Sequence, residues 1–139
     1  MGEIISKEES YVLTGACFNV HKDKGCGFLE PVYQECMEIE LAHASIPFIA
    51  KPALELSYRG KTLKRSYEPD FVCYGGIILE LKAVSALADE HRAQVLNYLK
   101  ATGFKLGLLV NFGGHPQLEW ERIANTQPPE AGLRPDFRL

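Results

Sequence analysis

Three residues in the middle of the chain have the types and spacing of a metal-dependent hydrolytic site. Asp70 is separated by nine residues from Glu80, and Lys82 follows two positions later. Successive side chains of a strand point to opposite faces, so Glu80 and Lys82 are expected to share a face. All their neighbours in residues 77–84 are apolar, and a charge inside such a strand costs free energy unless it is paired or binds a metal. This contrast indicates a functional site.

The length of the turn before residue 77 decides whether Asp70 joins this site. A three-residue loop over 74–76 would place Asp70 opposite Glu80, whereas a two-residue loop would place it opposite Leu81. The two glycines of the turn favour the three-residue loop, which contains a left-handed position. We therefore expect both carboxylates on one face, with Lys82 beside them.

Two carboxylates without an imidazole or a thiolate suit a hard cation such as Mg²⁺ or Mn²⁺. Such an ion polarises a phosphoryl oxygen and lowers the pKa of a bound water. Lys82 could orient or help deprotonate that water and counter developing negative charge. The alternative is a buried Glu80–Lys82 ion pair, with Asp70 as a turn residue. Spacing alone leaves these two interpretations equally open.

Composition predicts a single globular domain. The 139 residues are 46% hydrophobic and 24% charged, which allows one ordinary core. Acidic residues stand where a signal peptide needs an apolar run, and no stretch approaches the ~20 apolar residues of a membrane span. The four cysteines lack zinc-ligand spacing, so we expect free thiols. A cytoplasmic protein without membrane association is predicted.

Charge is distributed unevenly. The net charge of −3 argues against strong nonspecific binding of nucleic acid, although a bound metal reverses the sign of an acidic site locally. Basic residues crowd into residues 51–65, where they are interpreted either as an edge that tracks phosphates or as solvated charges of a strand edge. These residues are Lys51, Arg59, Lys61, Lys64 and Arg65.

Hydrophobic periodicity predicts a mixed α/β (α+β) domain with helices around one central sheet. Helices are predicted over 6–21, 28–44 and 89–102, and strands over 53–58, 62–67, 70–74, 77–84, 105–112 and 118–123. The helix between strands 77–84 and 105–112 makes them parallel neighbours with a right-handed crossover. The domain is expected over residues 1–125. Residues 126–139 contain three prolines and are predicted to be a loose C-terminal tail that contributes little to stability.

A family resemblance covers roughly residues 10 to 124. Asp70 and the triplet Glu80-Leu81-Lys82 resemble the motif of the PD-(D/E)XK, or restriction-endonuclease-like, nuclease superfamily. The wider chain resembles the small GxxExxR family within it, although Tyr33 stands where that family's name has Arg. The matching segments are residues 27–33, 39–41, 67–71, 80–82, 94–99 and 107–113.

The resemblance implies an αβββαβ core, with an extra helix at the N-terminus, and a metal site. Asp70 and Glu80 would be metal ligands, the Leu81 backbone carbonyl would complete the coordination, and Lys82 would be the catalytic lysine. Glu30 would be a further ligand from an N-terminal helix. A carboxylate in the first turn of a helix is also stabilised by the macrodipole, so a purely structural role for Glu30 is equally open.

Two further candidates come from the helix after the triplet. Gln94 and Tyr98 resemble a QxxxY signature of some nucleases in the superfamily, and they are neighbours on one helix face. The resemblance implies a catalytic role for Gln94 and a supporting role for Tyr98. His91 shares this face, and for it a packing role is the preferred interpretation.

The function that the resemblance implies is a metal-dependent nuclease. It would hydrolyse phosphodiester bonds of DNA or RNA with Mg²⁺ or Mn²⁺, and the intact set of Asp70, Glu80 and Lys82 favours this interpretation. The alternative is a non-catalytic nucleic-acid-binding or assembly module that retains the fold. The acidic net charge leaves room for the alternative, and a homo-oligomer or a larger assembly is compatible with either.

Overall fold

Helices occupy the start and the middle of the chain. The computed structural model describes residues 6–125, and the tail predicted over 126–139 lies outside the described residues. The helices are α1 (Lys7–Lys24), α2 (Glu30–His43) and α3 (Asp89–Thr102), which confirms the three predicted helices. α1 and α3 end at Gly25 and Gly103, both with positive φ, a conformation that glycine adopts without strain. Pro31 lies in the first turn of α2, where its missing N–H costs nothing.

Seven strands of the described residues form two sheets. They are β1 (Phe48–Ala50), β2 (Leu54–Tyr58), β3 (Lys61–Tyr67), β4 (Phe71–Cys73), β5 (Ile77–Lys82), β6 (Leu106–Asn111) and β7 (Glu119–Ala124). The central sheet has the order β1-β4-β5-β6-β7, and only β5 and β6 are parallel, as predicted. β2 and β3 form a separate antiparallel hairpin. β1 was not predicted, because three residues are too few to show an alternating pattern.

The turn between β4 and β5 has three residues, as the glycines predicted. Cys73 pairs with Ile77 and Phe71 pairs with Leu79. Tyr74 and Gly75 both have positive φ, at 53° and 72°. Continuing this register brings Asp70, which directly precedes β4, opposite Glu80 near the end of β5.

Two hydrophobic cores lie on the two faces of the central sheet. The core under α1 and α2 includes Leu79 and Leu81, whereas the core under α3 includes Ile78. Because side chains alternate along β5, Glu80 and Lys82 face the α3 side with Ile78. Strand parity in a sheet covered on both faces therefore fixes where the charged side chains of β5 project.

Asn111 at the end of β6 holds the segment that follows Lys82. This fully buried amide accepts hydrogen bonds from the backbone N–H groups of Val84 (2.9 Å) and Gly113 (3.0 Å). Its Nδ2 donates to Val84 O at 2.9 Å and to Glu119 Oε1 at 3.0 Å. One side chain thus satisfies three half-buried backbone groups beside the charged end of β5.

We expect Asn111→Ala to lower the free energy of unfolding by about 2–4 kcal/mol, because half-buried backbone groups lose their partners. Urea denaturation measures this loss. Asn97→Ala, at an exposed position of α3, is the matched control and should change stability by less than about 0.5 kcal/mol. Equal losses in the two variants would contradict the anchoring role of Asn111.

Candidate functional site

Asp70 and Glu80 are bonded to each other's backbone. Asp70 N donates a 2.9 Å hydrogen bond to Glu80 Oε1, and Leu81 N donates a 2.8 Å hydrogen bond to Asp70 Oδ2. Glu80 is only 7% exposed, and Asp70 is half-buried. The expected proximity of the two carboxylates is thereby confirmed. Their roles as ligands or catalytic groups remain predictions.

Burial changes the acidity of Glu80. Desolvation and then the neighbouring charge of Asp70 raise the pKa of Glu80 to about 7, against the opposing effects of the Asp70 N–H, Tyr67 and Lys82. Tyr67 OH donates to Glu80 Oε1 at 3.1 Å, and burial together with that carboxylate raises the pKa of Tyr67. Glu80 is therefore partly protonated at neutral pH in the metal-free protein.

The cation nearest Asp70 is Lys51, not Lys82. Lys51 Nζ lies 3.0 Å from Asp70 Oδ1, and Lys51 N donates to Asp70 O at 3.0 Å. Partial burial acts to lower the pKa of Lys51, but the hydrogen bond and charge of Asp70 outweigh it, so this pKa is raised. Asp70 is thus paired with a lysine that was not predicted for it, and the expectation that Lys82 lies beside both carboxylates stays a prediction. The sequence showed Lys51 only as one member of a basic cluster.

The contact of Lys51 depends on tertiary structure. Lys51 and Asp70 are 19 positions apart in the chain, and Lys51 directly follows β1, which pairs with β4. That pairing sets Ala50 opposite Phe71 and so brings Lys51 next to Asp70. No sequence spacing signals this contact, because β1 itself has no recognisable pattern.

Asp70 opens into a cavity against α2. Leu81 lines this cavity, as do Glu30, Gln34 and Glu38, which follow one another at intervals of four residues along one face of the helix. Glu30 is the first residue of α2, as predicted, and it shares the cavity with Asp70. Gln34 and Glu38 were not among the predicted site residues, although their spacing from Glu30 could have indicated them.

Gln34 contributes a buried oxygen without a donor. Its Nε2 donates to Glu38 Oε2 at 3.3 Å and to Asp70 O at 3.4 Å, which fixes the orientation of the amide. Gln34 is 9% exposed, and its Oε1 has no hydrogen-bond partner within the described residues. An unsatisfied buried acceptor near carboxylates is compatible with a cation nearby.

The groups around Asp70 fit a hard divalent ion by their chemistry. They are carboxylate, amide and backbone oxygens, with no thiolate or imidazole among them, and Mg²⁺ and Mn²⁺ prefer such ligands. Within residues 6–125, however, no three His, Cys, Asp or Glu side chains are already grouped to hold an ion. Lys51 occupies Asp70 Oδ1, so a metal that binds this oxygen would displace Lys51.

Lys82 lies in a second cavity, against α3. Gln94, Tyr98 and His91 line it together with Lys82, so the QxxxY pair faces this lysine. Gln94 Nε2 donates to Tyr98 OH at 2.9 Å, and the Tyr98 ring stacks on Tyr67, which holds Glu80. Asp70 and Lys82 thus belong to different cavities.

His91 has a structural partner. The ring Nδ1 of His91 accepts a 3.0 Å hydrogen bond from Ala88 N. The backbone N–H of His91 donates a hydrogen bond to Ala88 O. The imidazole therefore caps the start of α3, where backbone N–H groups lack helical partners. This contact agrees with the packing interpretation of His91.

Tyr33 occupies a position that an arginine would not fit. The ring is fully buried and stacks on Phe112 with centroids 4.6 Å apart. Its hydroxyl donates to Gly25 O at 2.6 Å and accepts from Phe28 N at 3.3 Å, so it closes the loop between α1 and α2. An unpaired arginine here would place a charge in an apolar core.

The mixed central sheet carries two cross-bonded carboxylates, Asp70 directly before β4 and Glu80 within β5. A family model described as the PD-(D/E)XK nuclease superfamily matches residues 7–123, most of the chain, so the chain belongs to this superfamily. None of the described helices is long and apolar enough to cross a membrane.

One solved structure supports the fold independently. The crystal structure of SSO0001 is similar with a TM-score of 0.53 and 19% sequence identity, over 71% of this chain and 51% of that one. The chain spans about half the length of that protein, and the likeness concerns the fold alone. No curated protein matches the chain.

The pKa of Glu80 predicts how stability depends on pH without metal. The folded-state pKa of about 7 lies above the ordinary value of 4.5, so between these values the folded state binds more protons than the unfolded state. The free energy of unfolding should therefore fall as pH rises through this window. Glu80→Gln should remove about 2 kcal/mol of that decline between pH 5 and pH 8, measured by urea denaturation.

Glu90→Gln is the matched control, because Glu90 is an exposed carboxylate on α3. This variant should keep the pH profile of the unmodified protein. Parallel profiles for Glu80→Gln and the unmodified protein would show that burial of Glu80 does not control this dependence.

Proposed function

We propose that the protein is a metal-dependent nuclease that hydrolyses phosphodiester bonds of DNA or RNA. The observation that carries the proposal is the cross-bonded pair of Asp70 and Glu80, with Lys82 two residues beyond Glu80. Superfamily membership supports a nucleic-acid substrate and the use of divalent metals. Mg²⁺ or Mn²⁺ is the ion that the oxygen groups suit.

Each residue of the site would have a defined task. Asp70, Glu80 and the Leu81 carbonyl would hold the ion, and Glu30 would approach it from α2. When bound, the ion supplies charge neutralisation at the phosphoryl group and a water of lowered pKa. Lys82 would orient that water or stabilise the developing charge, and Gln94 would contact the substrate from the same cavity.

The other residues act by keeping these groups in place. Tyr67 holds the Glu80 carboxylate, and Tyr98 supports the Tyr67 ring from α3. Lys51 neutralises Asp70 as long as no metal is bound. Glu80 would give up its proton when the ion binds, because a coordinating carboxylate must be deprotonated.

Finer classification also remains a proposal. A relationship to the GxxExxR family is supported by residues 27–33 and 94–99, while Tyr33 departs from it for the packing reason given above. The cytoplasmic location and the domain limits of 1–125 remain predictions, as do a homo-oligomer and a larger assembly. The second candidate function is a non-catalytic nucleic-acid-binding or assembly module. The ion pair that already occupies Asp70 favours this second candidate.

Two variants separate metal binding from chemistry. Asp70→Ala should abolish calorimetric Mn²⁺ binding and any cleavage, because it removes a ligand. Lys82→Ala should keep the Mn²⁺ affinity but lower the cleavage rate of plasmid and oligonucleotide substrates by about 100-fold or more, as loss of a proton-transfer or electrostatic group does.

Lys100→Ala, an exposed position at the end of α3, is the control and should change neither quantity. Equal cleavage by Lys82→Ala and the unmodified protein would reduce Lys82 to a structural counter-charge. If the unmodified protein binds nucleic acid but cleaves none of these substrates, the binding-module function replaces the nuclease.

Lys51 should compete with the metal for Asp70. Lys51→Met removes the cation from Asp70 Oδ1, so Mn²⁺ affinity should rise roughly 3- to 10-fold, the effect of losing about 1 kcal/mol of charge interaction near the surface. Titration calorimetry measures the change. Lys61→Met, an exposed lysine on β3, should leave the affinity as it is, and the same result for Lys51→Met would rule out competition.

A further inference from the structure

The hairpin of β2 and β3 concentrates positive charge on an acidic protein. It carries four basic residues, Arg59, Lys61, Lys64 and Arg65, and one acidic residue, Glu55. The whole chain has a net charge of −3, so the +3 of the hairpin leaves −6 for all other residues. All four basic side chains are exposed, and within residues 6–125 none of them forms an ion pair.

The outer part of the hairpin projects from the domain. Residues 61–66 of β3 are all exposed, whereas a strand that lies on a core alternates between buried and exposed side chains. Contacts to the core under α3 come from the base, through Leu54, Leu56 and Tyr67. The outer residues of β3 are therefore accessible to a partner, whereas residues 55–57 of β2 are half-buried.

A bulge lies within the basic run. Glu55 pairs with Ser66 and Ser57 pairs with Thr62, so residues 63–65 of β3 stand opposite Leu56 alone. Bulges bend a strand and redirect its side chains. Lys64 and Arg65 lie in this irregular segment, where the regular alternation of side chains between the two faces of the ribbon is interrupted.

The end of β3 and the segment that precedes β2 are bonded to the carboxylates of the site. Lys51, three residues before β2, pairs with Asp70, and Tyr67, the last residue of β3, donates to Glu80. The base of the hairpin therefore lies beside Asp70 and Glu80, and the basic residues extend from there toward its tip. The charge alone would fit any polyanion, but this attachment connects it to the proposed phosphodiester site.

The dimensions select among nucleic acids. The major groove of B-DNA, about 12 Å wide, admits a two-stranded β-ribbon. The major groove of an A-form RNA duplex is deep and too narrow for protein side chains to read. A seven-residue strand such as β3 extends over roughly 23 Å. This length is enough to cross the major groove of B-DNA and reach phosphates on both sides.

We propose that the β2–β3 hairpin is a DNA-binding arm that enters the major groove of duplex DNA and contacts its phosphates through Arg59, Lys61, Lys64 and Arg65. This inference rests on the proposed function, because it assumes that the partner is a nucleic acid. It does not require cleavage, so the two can fail separately. It names duplex DNA as the substrate class of the site.

Binding of a fluorescein-labelled DNA duplex of two helical turns tests the arm. Fluorescence anisotropy is measured without divalent ions, so that no cleavage occurs, between about 50 and 200 mM KCl. In the variant Arg59→Gln/Lys61→Gln/Lys64→Gln/Arg65→Gln, Kd should rise about tenfold or more at the lowest salt. The slope of log K against log salt should become shallower by about 2 to 4, because each phosphate contact contributes about 0.9.

The matched control replaces four exposed lysines outside the hairpin, Lys7, Lys22, Lys24 and Lys100, by Gln. It has the same net charge as the arm variant and should keep the salt slope of the unmodified protein. Circular dichroism and thermal midpoints establish that both variants fold. Equal slopes for the two variants would overturn the proposal, as would absence of duplex binding by the unmodified protein.

Further nucleic acids test the choice of partner. Duplex RNA and single-stranded DNA of the same length should bind more weakly than duplex DNA and should lose less affinity in the arm variant. Equal, hairpin-dependent binding of all three would overturn insertion into the major groove. Hairpin-dependent duplex binding without metal-dependent cleavage would leave the arm intact and refute the nuclease. Cleavage that the arm variant retains in full, with unchanged Kd, would refute the arm alone.

Discussion

Burial of the Glu80 carboxylate is the constraint on which the site depends. An ionised carboxylate in an apolar strand is unfavourable unless hydrogen bonds replace its lost water. Here two donors do so, Asp70 N and Tyr67 OH, and each comes from a different part of the chain. The three-residue turn after β4 brings the first donor, and the hairpin brings the second. The remaining cost appears as the raised pKa of Glu80.

β5 lies at the centre of the sheet, between the cavity that contains Asp70 and the cavity that contains Lys82. Its flanking strands hold it on both sides, so its end is a rigid support for charged side chains. Asp70 opens toward α2, where acidic and amide oxygens gather, whereas Lys82 opens toward α3, where Gln94 and Tyr98 lie. Glu80 stands between the two cavities and is bonded to both sides through Asp70 and Tyr67.

The contacts of Lys51 and Tyr67 link the hairpin to the carboxylates. A metal that binds Asp70 Oδ1 would displace Lys51 from this carboxylate. Protonation of Glu80, or metal binding to it, would change its hydrogen bond with Tyr67. Binding at the hairpin and binding at the carboxylates would then influence each other equally, since coupling between two binding sites is reciprocal. Tyr67 at the end of β3 and Lys51 before β2 are the contacts through which such coupling would act.

Much of this arrangement follows from local sequence. The apolar run of β5 with its two charges, the paired glycines before it and the periodicity of α3 predicted the strand, its register and the face of Gln94 and Tyr98. These features depend on neighbouring residues, so alternation and turn chemistry suffice to predict them. The position of Glu30 near the start of α2 was predicted for the same reason, although the predicted helix began two residues earlier, at 28.

Only the tertiary structure decided which groups meet Asp70. Lys51 reaches it through β1, a three-residue strand without a pattern of its own, and Gln34 reaches it through the packing of α2. The separation of β2 and β3 from the central sheet and the projection of their basic residues were equally hidden. Such contacts join segments far apart in the chain, and their energies come from pairing and burial that no local spacing encodes.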